Sequence, residues 1–305
     1  MHRFDFEERH LGTPIRLLLV NSDEARAADL ARQAYEECAR IERAYSRFLQ
    51  GNELAALNAR VGEWTEVSAE LAELLAFGEE MKRRTGGAFD LSVKSILEGW
   101  GYDAAYSFVE GTTGRTGGME LDDSGVGSGA AARVRLSAPV ELGGLGKGYA
   151  IDRVGAILAP LGNFLIDAGG DLLLRGHDVN GEAWRVAFEH PMDITQAIGI
   201  FEGSGLALAC SSPSRRSWPG RGAGATRHHL VDPRNGEPAT GMGAVYTQAE
   251  TALVADAYST ALFVLGFDAA RELLAADGRP VEALLVGPGG QTWRSEGFVG
   301  ELFTS

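Results

Sequence analysis

The residues of this chain that could do chemistry gather in four stretches. The first is Asp256-Ala-Tyr-Ser-Thr260, set inside an apolar run of Ala252, Leu253, Val254, Ala255, Ala261, Leu262 and Phe263. On a helix, residues four apart share a face, so Asp256 and Thr260 point the same way. A carboxylate and a hydroxyl flanked by core residues are costly unless something satisfies them. Either a local side-chain hydrogen bond does so, or a hard cation such as Mg2+, which takes oxygen ligands.

The second stretch is His228-His229-Leu-Val-Asp232-Pro233-Arg-Asn-Gly236. Pro-x-x-Gly marks a turn and places the histidines at the end of a strand. A histidine there can act as general base at neutral pH, with Asp232 orienting it or capping the turn. The alternative is a pair of surface or capping histidines. Successive strand side chains point to opposite faces, so only one of the two can face a ligand.

The third is Glu141-Leu-Gly-Gly-Leu-Gly-Lys-Gly148, which opens a helix. A Walker A loop would need Gly at Glu141 and Ser or Thr at Gly148, and a dinucleotide fingerprint would need Gly or Ala at Tyr149. Two readings stay open, a tight strand-to-helix turn and a phosphate loop at a helix N-terminus. Gly125-Val-Gly127-Ser-Gly129-Ala130 fits the letter of GxGxxA but follows polar residues rather than a strand, so it carries no weight. The fourth stretch, 203–231, has no Asp or Glu yet holds Arg215, Arg216, Arg221 and Arg227. It is either a solvated basic loop or a local positive field suited to a di- or triphosphate.

The elements that must position these residues follow from periodicity. Ile15 to Val20 reads as a strand, too short to span a bilayer or serve as a signal segment. Asn21 and Glu24 suggest the start of an amphipathic helix of about 25 residues, with Leu30, Ala34, Cys38, Ile41, Tyr45 and Phe48 on its inner stripe. Ser68 caps a second helix that stops at Gly86-Gly87. From Gly111 to Gly129 glycine is mixed with Thr, Ser and Asp, which predicts a mobile loop. Strand-like runs follow at 133–141, 164–168, 172–175, 184–188, 197–201, 206–210 and 282–286, with helices at 149–161, 251–265 and 268–276.

Charge and cysteine content narrow the function classes. With 28 Lys and Arg against 42 Asp and Glu, a net charge of −14 argues against a nucleic-acid or anionic-membrane binder. Cys38 and Cys210 form no CxxC or Cys/His cluster, which argues against a disulfide framework or a zinc site. The expectation is an α+β protein of mixed sheets with packed helices, a two-lobed single unit over 1–305 divided near the 111–129 loop. It has no membrane-spanning segment and is cytoplasmic as written, unless an export segment has been removed.

Taken in order along the chain, these segments resemble the ApbE family of flavin transferases. The resemblance rests on Leu11-Gly-Thr13, Ser46-Arg-Phe48, Asn52-Glu-Leu54, Asn58, Thr85-Gly-Gly-Ala-Phe-Asp90 and Trp100-Gly101. It continues through ELGGLGKGYAID (141–152), IDAGGDLLLRG (166–176), HHLVDPRNGEPATG (228–241) and ADAYSTALFVLG (255–266). It implies a T-fold-like architecture and Mg2+-dependent FAD:protein FMN transferase activity, in which a Thr or Ser of an acceptor protein takes FMN from FAD and AMP leaves. By the same resemblance Asp256, Thr260 and the Gly144 carbonyl would hold the metal, and His229 would be the catalytic base. Leu11, Phe48, Ala88, Phe89, Asp90, Glu141 and Lys147 would line the FAD site. The chain departs from the family at Leu11, usually Met; at Phe48, often a hydroxylated aromatic; and at Glu141, usually Asp. A Mg2+-dependent FAD pyrophosphatase giving FMN and AMP, and a non-catalytic flavin-binding protein, are the competing readings.

Overall fold

Strand Phe164–Ala168 shows why several apolar runs here are continuous rather than alternating. Phe164, Ile166 and Ala168 enter one hydrophobic cluster, while Leu165 enters another on the opposite face. Strand Glu282–Val286 divides the same way, with Ala283 and Leu285 on one side and Leu284 and Val286 on the other. Strands covered on both faces lose the polar half of the alternation. The computed structural model describes residues 1–122, 131–214, 216–221, 225–278 and 281–303.

These strands lie in an eight-stranded sheet ordered His2–His10, Thr13–Asn21, Phe164–Ala168, Asp171–Arg175, Ala207–Ser211, Ala244–Ala249, Glu282–Val286 and Thr292–Arg294. Every ladder in it among the described residues is antiparallel. Helices Glu24–Tyr45, Gly146–Leu158 and Ala252–Leu265 cover one face and bury Cys38, Ile151, Val154 and Leu262 against it. The other face is covered by a three-stranded sheet, Trp184–His190, Asp193–Gly203 and Glu301–Leu302, through Trp184, Phe188 and Phe201. The mixed sheets expected from the sequence are thus present, with the 184–188 and 197–201 segments in the second.

The helix caps follow local chemistry. Ser68 accepts from Leu71 N at 3.2 Å and starts helix Ala69–Arg84, which ends before Gly86 and Gly87, both left-handed at φ 58° and 83°. The first helix is capped by Asp23, which accepts from Arg26 N, rather than by Asn21; the Asn21 side chain accepts from Ser22 N and Asp23 N instead. That helix stops at Tyr45, so Phe48 lies beyond it and is free to face a cavity.

Within the stretch predicted as a mobile loop, residues 119–122 are paired as a strand. Met119–Asp122 is a strand paired with Ala132–Leu136, and Gly111 N and Gly114 N donate to the carbonyls of Gly99 and Ser95. A Cβ at Gly114 would lie 2.3 Å from Ser95 Cβ, so the residue serves a close approach. The rest of the predicted loop, with the GxGxxA letters at 125–130, falls mainly on residues 123–130, outside the described residues. Among the strands that the sequence reading missed are two long ones of the main sheet. His2–His10 is a charged edge strand that pairs with Thr13–Asn21 across Leu11-Gly12, both at positive φ as a two-residue hairpin turn requires. Ala244–Ala249 is buried along its whole length. Among the described residues no helix is long and apolar enough to cross a membrane.

Candidate active site

A cavity of about 620 Å³ opens where the N-terminal ends of two sheet-covering helices meet the sheet. Leu11, Phe48, Ala88, Phe89, Asp90, Glu141, Gly144, Lys147, His229, Asp256 and Thr260 all line it. They come from distant parts of the chain, and the helix pair Gly146–Leu158 and Ala252–Leu265 brings the most polar of them together.

Glycine at 148 sets that crossing. A Cβ there would stand 2.3 Å from the Ala252 carbonyl oxygen. With none present the helices close up, and Gly148 N donates to Asp256 Oδ2 at 3.0 Å. One turn later Asp152 accepts from Ala252 N and Leu253 N at 2.8 and 2.9 Å, capping the second helix from the first. Of the two readings of the glycine loop, the tight turn prevails. Gly143 N is bound to Glu141, Leu145 N and Gly146 N to the Leu142 carbonyl, and Gly148 N to Asp256, which leaves few donors for a phosphate.

Lys147 lies between two buried carboxylates. It is hydrogen-bonded to Asp171 Oδ2, and its Nζ is 3.1 Å from Asp256 Oδ1. Burial would drive its ammonium down, but Asp171 and Asp256 outweigh that and hold it above the ordinary lysine range. Burial pushes Asp171 up, with Lys147 pulling the other way. Two carboxylates and one ammonium leave this corner net negative. Thr260 Oγ1 lies 3.4 Å from Ser211 Oγ, and a Cβ on Gly144 would lie 3.6 Å from Thr260 Cγ2. Gly144, Asp256 and Thr260 are thus neighbours. Among the described residues no three His, Cys, Asp or Glu side chains form a metal cluster. The Asp256 carboxylate, Thr260 hydroxyl and Gly144 carbonyl are nonetheless hard oxygen donors in a negative corner, a set that fits Mg2+.

The two histidines part where strand Thr226–His228 ends, with His229 the first residue beyond it. His228 ends strand Thr226–His228, buried edge-on to the Phe263 ring at 6.2 Å. His229 lines the cavity, its Nδ1 3.5 Å from the Arg216 carbonyl, so Nδ1 carries the proton and Nε2 keeps its lone pair. Burial, helped by the Arg216 charge, pushes the His229 imidazole down to about 3. Asp232 caps the turn, accepting from Arg234 N and the Arg234 guanidinium at 2.8–3.0 Å, and does not orient the histidine.

The arginines of 203–231 also divide. Arg216 faces the cavity. Arg221 and Arg227 bind Glu110, and Arg227 also binds Glu237, so those two serve structure. Arg215 lies outside the described residues.

At the other end of the cavity Glu141 accepts from Gly143 N at 2.9 Å, and burial pushes its carboxyl up. Phe48 stacks on Tyr106 with ring centroids 5.0 Å apart. Phe89 would touch a Cβ on Gly144 at 3.0 Å, so glycine keeps that wall open. Asp90 is engaged within the protein, by Lys82 at 2.7 Å and by Ser92. Sequence reasoning missed Arg47, Asp171, Ser211 and Tyr102 as cavity residues. Asp171, an acid opening the apolar strand Asp171–Arg175, carried the same signal that singled out Asp256.

Fold and site together define an α+β enzyme with a charged cavity among the described residues. The chain belongs to the ApbE family, whose pattern it matches over residues 11–285. It is 28% identical to the FAD:protein FMN transferase of Klebsiella pneumoniae, across 94% of this chain and 86% of that protein. Against the FAD:protein FMN transferase of Salmonella typhimurium the identity is 27%, across 96% and 87%. The crystal structure of the ApbE protein from Thermotoga maritima superposes with a TM-score of 0.86 over 97% of both chains at 28% identity. The apo flavinyl transferase ApbE of Pseudomonas stutzeri, at 23% identity, covers 97% of this chain and 95% of its own with a TM-score of 0.81, and so shares the fold.

Proposed function

We propose that this protein is a Mg2+-dependent FAD:protein FMN transferase. It attaches FMN through a phosphodiester bond to a Thr or Ser of an acceptor protein and releases AMP. The observation that carries this reading is the meeting, in one cavity, of the His229 ring and the hard-oxygen set of Asp256, Thr260 and Gly144. Its volume suits a ligand of dinucleotide size.

In this reading the acceptor hydroxyl oxygen forms a bond to the FMN-side phosphorus. The bond from that phosphorus to the bridging oxygen breaks, and AMP leaves with the bridging oxygen. His229 Nε2 takes the hydroxyl proton. A pyrophosphate beside it offsets the Arg216 charge and raises the basicity of the imidazole. Bound Mg2+ would supply positive charge against the pyrophosphate, held by Asp256, Thr260 and the Gly144 carbonyl. Lys147, 3.1 Å from Asp256 Oδ1, keeps the Asp256 carboxylate in place. Phe48, Leu11, Ala88, Phe89, Asp90 and Glu141 shape the walls for the rest of the dinucleotide.

Incubation with FAD, Mg2+ and a candidate acceptor tests the reading. An FMN-sized mass gain on the acceptor with stoichiometric AMP supports transfer. AMP and free FMN at the same rate with or without acceptor would make water the nucleophile and the protein a pyrophosphatase.

A further inference from the structure

Arg47 is the polar group in the cavity wall whose donors the fold leaves unused. Its side chain is 5% exposed, and both terminal nitrogens are buried without a hydrogen-bond partner among the described residues. Among the described residues it is paired in charge with Glu141, its Nε 3.7 Å from Glu141 Oε2, a distance too long for a hydrogen bond. The guanidinium is instead packed on aromatic rings, 4.3 Å from the Phe48 centroid and 4.5 Å from that of Tyr102. A buried donor without an acceptor is destabilising, and here one planar fork holds two such nitrogens. The fold gains little from this arrangement, so the donors await something that is not protein.

We infer that Arg47 is a substrate-binding residue whose two terminal nitrogens donate to an acceptor-bearing edge of one of the ring systems of FAD. The inference rests on the proposed function, since it takes FAD as the occupant of the cavity. A ring edge suits the site better than a phosphate does. Glu141 beside the guanidinium cancels much of its charge and would repel a dianion, whereas the flavin and adenine edges each set a hydrogen-bond acceptor beside a donor. Arg47 answers the acceptor and Glu141 the donor. Phe48 and Tyr102 supply the flat surfaces on which such a ring stacks. In the free protein Tyr106 takes that place on Phe48, in a parallel stack with an interplanar angle of 20°. Tyr106 and Phe108 both hold left-handed backbone, φ 49° and 48°, which side chains rarely adopt.

The test compares wild type, Arg47→Met and Arg47→Lys by FAD affinity and by the melting temperature of the ligand-free protein. Wild type should bind FAD, and Arg47→Met should bind it about 10- to 100-fold more weakly. Lys cannot reproduce the planar fork and should rescue poorly. The ligand-free Arg47→Met protein should melt below wild type, because buried Glu141 loses its counter-charge, so FAD affinity is read on the folded protein and is the deciding measurement. Competition by riboflavin and by AMP locates the contact: a defect confined to one of them names the ring that Arg47 meets. A lower melting temperature with unchanged FAD affinity would make Arg47 structural and overturn the inference. So would a defect shared by inorganic pyrophosphate. A wild-type protein that does not bind FAD would overturn the proposed function and the inference with it, which distinguishes that failure from one of Arg47 alone.

Discussion

The backbone N–H of Gly148 donates to Asp256 Oδ2 at 3.0 Å, so the contact that joins two helices also fixes a proposed metal ligand. Gly148→Ala would drive a Cβ to 2.3 Å from the Ala252 carbonyl and spread the helices. Overpacking of this kind costs about 1–3 kcal/mol. We expect a lower denaturation midpoint together with weaker Mg2+ dependence of FAD binding. Wild-type stability in this variant, measured by urea unfolding, would show that the crossing is not set by glycine.

Removal of divalent cations with EDTA should stop transfer, and Mg2+ should restore it. Asp256→Asn keeps the side-chain size and an acceptor for Gly148 N but loses the charge. It should lower transfer by about 10²-fold or more, with added Mg2+ restoring little. Unchanged metal-dependent turnover in Asp256→Asn would remove Asp256 from the metal site.

His229→Ala should lose about 10²–10⁴-fold in transfer rate while still binding FAD. His228, buried against Phe263, should behave in the opposite way. Its replacement by Ala should lower stability by about 1–2 kcal/mol and leave the rate per folded molecule near wild type. Rates measured beside thermal melts separate the two, and a dead, stable His228→Ala protein would reverse the assignment.

The His229 imidazole, held down at about 3 against an ordinary value near 6.5, gives two expectations with pH. A base must be unprotonated to act, so the acid limb of kcat/KM, which reports the free enzyme, should lie well below 6.5. For stability, the unfolded chain takes up a proton on this residue below about 6.5, while the folded protein resists until near 3. Folding therefore weakens as pH falls through that window. His229→Gln should flatten that part of the melting-temperature profile. An acid limb at 6.5 that disappears in His229→Gln would contradict the environment described here.

Much of this site was legible because its signals are local. Asp256 and Thr260 are one helical turn apart inside an apolar run, whereas His228 and His229 are separated by the end of strand Thr226–His228 and not by alternation within it. The main helices and central strands were legible for the same reason, since their periodicity lies within a window of a few residues. Arg47 and the Lys147–Asp171 pair were not. Their roles depend on partners far along the chain, on Glu141 and Tyr102 for Arg47 and on Asp256 for Lys147. Met119–Asp122 was hidden for a related reason. Its flanking glycines read as loop, and only pairing with Ala132–Leu136 makes it a strand.

The central claim is that FMN is moved onto a protein hydroxyl by His229 in this cavity. Intact-mass analysis of an acceptor protein, after incubation with FAD and Mg2+ and either wild type or His229→Ala, tests it most directly. The account predicts an FMN-sized gain with wild type. It predicts none over the same interval with His229→Ala, although that variant binds FAD. Equal modification by both proteins, or complete conversion of FAD to FMN and AMP with the acceptor mass unchanged, would contradict it.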